Sequence, residues 1–131
     1  LNNIPLSDFP IYIGGPVGQQ SLHFIHTLGN LIPNSKKITN NIYFGGDFNK
    51  VIQLMNDKHI TKNEIRFFVG YSGWYGEQLN NEIRENNWIV ENVKENLCMN
   101  YSTPELWSDL IKTKEQKYAI WTNMPKNPYL N

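Results

Sequence analysis

The chain has 131 residues, 40% hydrophobic, 13% aromatic and 18% charged, which suits a folded globular chain with one core and is too short for two ordinary domains. Twelve basic residues balance twelve acidic ones. The missing basic excess argues against direct nucleic-acid binding and against an anionic membrane as partner.

Cys98 is the single cysteine, so an internal disulfide is impossible and a reducing, cytoplasmic setting is expected. No apolar run approaches membrane-spanning length, and no signal-peptide pattern opens the chain. It begins LNNIPLSDFP, without Met, and reads as a piece of a longer protein. Asn, Ile and Lys are heavily used and Ala119 is the sole alanine, a bias of A/T-rich codons that strips most single Asn positions of meaning.

In chain order, PIYIGGPV (10–17) and SLHFIHTL (21–28) read as two strands joined by a short turn at Gly18-Gln19-Gln20. Residues 30–40 are loop, with a short strand near Ile38, and NIYFGG (41–46) is a strand ending in paired glycines. The likeness of IYIGG to IYFGG is shared strand-plus-turn chemistry, not duplication. Asp47 then opens a helix as its N-cap, with Phe48, Val51, Ile52 and Met55 on one stripe. EIRFFVGY (64–71) is almost continuously apolar, as a strand covered on both faces should be.

Tyr75, Leu79 and Ile83 recur every four residues and predict a helix over 76–86, followed by a strand at NWIVENV (87–93). Thr103 as N-cap and Pro104 at the first helical position start a last helix, with Leu106, Trp107, Leu110 and Ile111 on one face. KYAIW (117–121) is a further strand and 122–131 an extended tail. The alternation from 41 to 93 is strand–helix–strand–helix–strand. The expected class is therefore α+β: a single domain with a mixed β-sheet flanked by helices and containing βαβ units.

The stretch RFFVGYSGWYGEQL (66–79) holds the most suggestive chemistry. A nucleophile elbow needs G-x-S-x-G, but Trp74 stands at the second glycine, and no His follows Ser72. Neither phosphate-binding glycine pattern is present, and Glu77 in the first helical turn would repel an anion. The plainer reading is a close strand-to-helix turn whose glycines take positive φ. GGDF at 45–48 lacks the acidic residue that follows the aspartate in nucleotide-cyclase signatures, since Phe48 stands there.

If strands 41–46 and 65–71 are parallel neighbours, both turns open at the carboxyl edge of the sheet, where α/β proteins tend to bind ligands. That edge would carry Asp47 and Glu77 with Tyr71, Trp74 and Tyr75, a set suited to a polyhydroxylated, amine-bearing or peptide ligand. The histidine pair His23 and His26 lies three residues apart on a strand and so faces opposite ways, which disfavours joint metal binding; no metal or cofactor is expected. Cys98 reads as a small buried hydrophobe, and Arg66 as the partner of a carboxylate or carbonyl.

YIGGPV (12–17), LHFIHTLG (22–29), IYFGGDF (42–48), RFFVGYSGWYGEQLNNEI (66–83) and NNWIV (86–90) together resemble the YqgE/AlgH family, from about Ile11 to the tail. GYSGW-x-x-x-QL is the most specific part, and YAIWTNMPKNPYLN is similar to the Bacteroidota branch. Family chains commonly carry Pro and Gly between the Trp and the Gln, where this chain has Tyr75, Gly76 and Glu77. They also extend further at the N-terminus, with strands and an H-x-x-G motif. Should those strands share the sheet, this chain would expose an unpaired edge open to self-association. The resemblance implies a branched mixed sheet with helices, and no established reaction, cofactor or binding residues. It also brings a transcriptional-regulator label, which the zero net charge and the lack of a helix-turn-helix pattern do not support.

These readings converge on a binding or regulatory domain for a small ligand or protein partner, with Asp47, Tyr71, Ser72, Trp74 and Gln78 as candidate residues. The alternative is a hydrolase using Asp47 or Ser72 with His26.

Overall fold

The computed structural model describes residues 6–92, 94–100 and 105–112. The β-branched and aromatic runs become strands β1 (Ile11–Ile13), β2 (Val17–His26), β3 (Lys36–Lys37), β4 (Tyr43–Phe44) and β5 (Ile65–Tyr71). The helices are α1 (Phe48–Asn56), α2 (Gln78–Arg84), α3 (Glu95–Asn100) and α4 (Leu106–Lys112). The strands form one mixed sheet in the order β1-β5-β2-β4-β3, in which only β1 and β5 run parallel. The α+β class holds.

The connection between the first two strands differs from the expected hairpin, because β5 lies between them. Gly14 and Gly15 carry the chain across the end of β5. A Cβ on Gly14 would stand 2.4 Å from the Gly70 carbonyl oxygen, and one on Gly15 2.2 Å from the Tyr71 carbonyl carbon. No side chain fits between backbones this close, so YIGG is a crossing rather than a turn. The Gly14 N–H donates to the Val69 carbonyl at 2.8 Å and fastens the crossing.

One face of the sheet holds the core. Phe24 of β2 and Ile65 and Phe67 of β5 pack there against Val51, Leu54 and Met55 of α1, with Ile32 and Ile60 closing the sides. The expected stripe on α1 is shifted slightly: Leu54 joins the buried set, while Phe48 and Ile52 are half-buried. Asp47 is the N-cap, its carboxylate accepting from the backbone N–H of Asn49 at 2.9 Å and of Lys50 at 3.4 Å.

On the opposite face, Arg66 lies with its guanidinium carbon 4.1 Å from the Tyr12 ring centroid. It donates to the Cys98 carbonyl at 2.6 Å, which ties β5 to α3. The partner left open by the sequence is thus a carbonyl, with an aromatic face beside it.

Several expectations are corrected. The segment 88–90 is irregular rather than strand, and residue 93 lies outside the described residues. The helix expected at 76–86 shortens to α2, and α3 was not anticipated. β4 and β5 run in the same direction but are not neighbours, because β2 separates them. Phe44 stands level with Arg66 at the start of β5, through their common partner Ile25. The carboxyl ends of β4 and β5 are therefore offset along the sheet. The last helix appears as α4, while Thr103, Pro104, the strand at 117–121 and the tail lie outside the described residues.

Gly15→Ala should destabilise the fold by roughly 2–4 kcal/mol, since a methyl group must force two backbones apart. Gly45→Ala meets open space, with nothing within 4 Å. It should cost only about 1–2 kcal/mol, for its left-handed backbone. Urea unfolding of the two variants beside the parent gives the comparison.

Candidate functional site

The alternation of β5 sends Phe67 and Val69 to the core face and Phe68 to the other. Tyr71 should follow Val69. Gly70 breaks the pattern with φ +73°, and Tyr71 instead meets His23, ring edge to face, with centroids 5.7 Å apart. Across from Tyr71, β2 arches: it advances five residues between Val17 and Leu22 while β5 spans two. The Ser21 hydroxyl closes the arch by donating to the Gly18 carbonyl at 2.5 Å.

The result is a cleft of about 450 Å³ on the face opposite α1, lined by Ile13, His23, Phe44, Phe68, Tyr71 and Ser72, with Gly14 and Gly70 at its back. A separate space of about 310 Å³ shares His23 and Phe44 with the cleft and is lined otherwise by Leu22, Phe24 and Phe48 from the core side and by Gly45 and Gly46. His23 and Phe44, which line both, are stacked, 6.2 Å between centroids and 18° from parallel. Among the described residues, neither space is lined by Lys, Arg, Asp or Glu. The polar side-chain groups of the main cleft are the His23 imidazole and the Tyr71 and Ser72 hydroxyls.

His23 Nε2 lies 2.9 Å from the Ser21 oxygen. Because the Ser21 proton is directed to Gly18, His23 donates Nε2–H to Ser21 and keeps Nδ1 as an acceptor in the neutral ring. The direction is wrong for activating Ser21 as a nucleophile, since the imidazole is the donor. Its chemistry here is hydrogen bonding.

His26 behaves in the opposite way. It is fully buried and stacked on Tyr43 at 5.7 Å. Its Nδ1 accepts from the Leu28 N–H at 3.2 Å, so the proton sits on Nε2, which reaches Ser35 Oγ at 2.8 Å and the Gly45 carbonyl at 3.0 Å. Burial pushes its pKa below the ordinary histidine value, partly opposed by the Gly45 carbonyl. Among the described residues neither Ser72 nor Asp47 is a hydrogen-bond partner of His26, so the hydrolase pairing is not assembled in this geometry.

The five candidate residues fall in three places. Tyr71 and Ser72 line the cleft. Asp47 is occupied with capping α1. Trp74 and Gln78 join a separate cluster around Glu82, which accepts from Trp88 Nε1 at 2.6 Å, Trp74 Nε1 at 3.2 Å and Gln78 Nε2 at 3.0 Å. His23, Phe44 and Phe68 were missed; the parity of SLHFIHTL could have marked His23 as the histidine off the core face. Among the described residues, no three His, Cys, Asp or Glu side chains converge on a common point.

The AlgH-like family model matches residues 1–119 of the chain. The chain belongs to that family. A UPF0301 protein of Parabacteroides distasonis is 41% identical over 125 residues, covering 95% of this chain and 63% of the relative. Another, from Bacteroides fragilis, is 37% identical over 126 residues, covering 96% and 64%. The chain thus spans a little under two thirds of the length of these relatives. The solution structure of AlgH from Pseudomonas aeruginosa matches with a TM-score of 0.65 at 18% identity, over 89% of this chain and 60% of that one. A Corynebacterium diphtheriae crystal structure matches with a TM-score of 0.66 at 19% identity, over 87% and 60%. At these identities the likeness is one of fold.

Two outcomes are expected for this AlgH-like chain. As pH falls below about 6.5, unfolded His26 takes up a proton that folded His26 resists, so the unfolded state binds more protons and stability falls. The fold should keep its full stability above that pH and lose it progressively on mild acidification, as urea midpoints across the range would show. His26→Phe should cost about 2 kcal/mol at neutral pH, through the lost partners of Ser35 and Leu28, and should flatten this slope. Asp47→Ala should cost about 1 kcal/mol, the usual value of an N-cap, without altering the cleft.

Proposed function

We propose that this AlgH-like chain is a cytoplasmic binding domain, not an enzyme, that takes a small, neutral, ring-bearing ligand in the cleft beside His23. The observation that carries the reading is the lining: the rings of Phe44, Phe68 and Tyr71 beside the His23 imidazole, with that imidazole and the Tyr71 and Ser72 hydroxyls as the side-chain hydrogen-bonding groups and no formal charge among the described lining residues. Clefts of this size and composition are the usual form of a small-molecule site. An uncharged lining gives no reward for a phosphate or carboxylate, whereas the rings reward stacking. The Nδ1 acceptor of His23 favours a ligand with an N–H or O–H donor.

Three observations support the cytoplasmic, non-enzymatic part. The sequence allows no internal disulfide. Among the described residues no helix is long and apolar enough to cross a membrane. Ser72 has no imidazole hydrogen-bonded to it among the described residues, the first requirement of a serine nucleophile. A regulator acting directly on DNA draws no support from a chain of zero net charge.

The reading is tested by thermal shift and ligand-observed NMR with neutral heteroaromatic compounds, run beside phosphorylated and carboxylated analogues. A neutral ring compound at about 100 times its Kd should add roughly 2.7 kcal/mol of stability. Phe44→Ser, at an exposed ring, should weaken that compound about tenfold or more, a loss of about 1.4 kcal/mol. If charged analogues bind better, or Phe44→Ser binds as tightly as the parent, the cleft is not the site.

A further inference from the structure

Outside the cleft, the segment 71–92 gathers exposed aromatic surface and charge of one sign. Trp74, Trp88 and Tyr75 are 37%, 48% and 88% exposed, although such rings are normally among the better-buried side chains. The two indoles meet edge to face with centroids 5.7 Å apart. Both indole N–H groups are already bound to Glu82, so what the two indoles leave to solvent is apolar ring with no unmet donor. Covering it removes apolar area from water without stranding a polar group.

The charge is equally one-sided. Residues 71–92 contain Glu77, Glu82, Glu85 and Glu91 against Arg84 alone, four acidic and one basic, a net of −3 in a chain whose total is zero. Arg84 pairs with Glu77 at 3.7 Å. Glu82 and Glu85 have no cationic partner among the described residues. The indole N–H of Trp88, and after it that of Trp74, holds the Glu82 carboxyl below the usual carboxylate range, so the charge persists into mild acid. Exposed Trp and Tyr beside unneutralised carboxylates form a surface complementary to arginine, whose planar guanidinium stacks on indole faces while its charge faces the acids.

We propose that the Trp74–Trp88 corner around Glu82 docks a basic, partly apolar segment of another protein, with arginine side chains laid against the indole faces. The surface is distinct from the cleft, and its occupant does not depend on the cleft ligand. Its negative charge repels nucleic acid and anionic lipid, which leaves protein as the macromolecule whose chemistry fits.

The test uses the whole chain and three labelled peptides, one alternating Arg with Leu, one alternating Arg with Ser and one alternating Glu with Leu. Fluorescence anisotropy and intrinsic tryptophan quenching should show the Arg–Leu peptide binding at least tenfold tighter than either of the others, and weakening as salt is raised. Tyr75→Ser changes an almost fully exposed side chain, and Glu82→Gln keeps an acceptor for an indole N–H while removing the charge. Each should weaken the Arg–Leu peptide about threefold to tenfold without changing the thermal midpoint or the binding of a cleft ligand. Equal binding of the Arg–Ser peptide would reduce the corner to a nonspecific acid patch and overturn the proposal. So would unchanged affinity in both variants, or sedimentation showing that copies of the chain cover this corner by pairing with one another.

Discussion

The close passage of Gly14 and Gly15 over the backbone of Gly70 and Tyr71 is the constraint from which the rest of the sheet follows. It carries the chain from β1, on one side of β5, to β2 on the other, and so produces the sheet's single parallel pair. With β5 enclosed between two strands, its apolar run has cover along both edges, and Phe67 can be fully buried. The same crossing requires glycine on both sides. A Cβ at Gly70 would stand 2.4 Å from the Gly15 oxygen, just as one at Gly14 would meet the Gly70 oxygen. Freed from carrying a side chain, Gly70 takes a left-handed backbone, and that swings Tyr71 to the face of His23. Packing and cleft are therefore two consequences of one contact, and GYSGW is a structural corner whose by-product is a ligand-sized space.

The two histidines show how one alternation sorts residues into structure and surface. His26 falls on the core face, where burial favours its neutral form and every ring nitrogen finds a fixed partner. There it locks the β2 end to the Ser35 and Gly45 loops, and Gly45 and Gly46 lead directly into the capped start of α1. Three residues earlier, His23 falls on the opposite face, between Phe44 and Tyr71. A side chain there is shaped by its neighbours but not consumed by them.

Much of this was legible from sequence and some was not, for identifiable reasons. Asp47 as an N-cap, the apolar stripe of α1, the β5 run and the opposed histidines are local features, and local rules describe them well. The family was legible in GYSGW-x-x-x-QL. The hairpin reading failed because two strands joined by a few residues usually pair, and nothing in YIGGPVGQQ reveals that another strand lies between them. The parallel-neighbour reading of 41–46 and 65–71 had the direction right and the adjacency wrong, for the same cause: β2 intervenes. NWIV looked like a strand because it is apolar and β-branched, yet Trp88 spends its indole on Glu82 and the segment stays irregular. The cleft residues were only half legible. Tyr71 and Ser72 lie in the stretch that drew notice, but Phe44 and Phe68 become neighbours of His23 only once the sheet order is known.

That single stretch, 66–79, contributes to surfaces of different character. Tyr71 and Ser72 belong to an uncharged cleft, whereas Trp74 and Gln78 belong to the cluster around Glu82 in the acidic corner. The zero net charge of the chain averages over this separation and conceals it. Composition speaks only to the overall balance of charge, because that judgement needs only the sum. It cannot show that the Glu82 carboxylate sits against two exposed indoles, because that judgement needs the turn at Gly76 and helix α2 to bring Trp74, Glu82 and Trp88 together. Where a balanced chain segregates its charge, the physics of recognition resides in the partition, and the fold is what makes the partition.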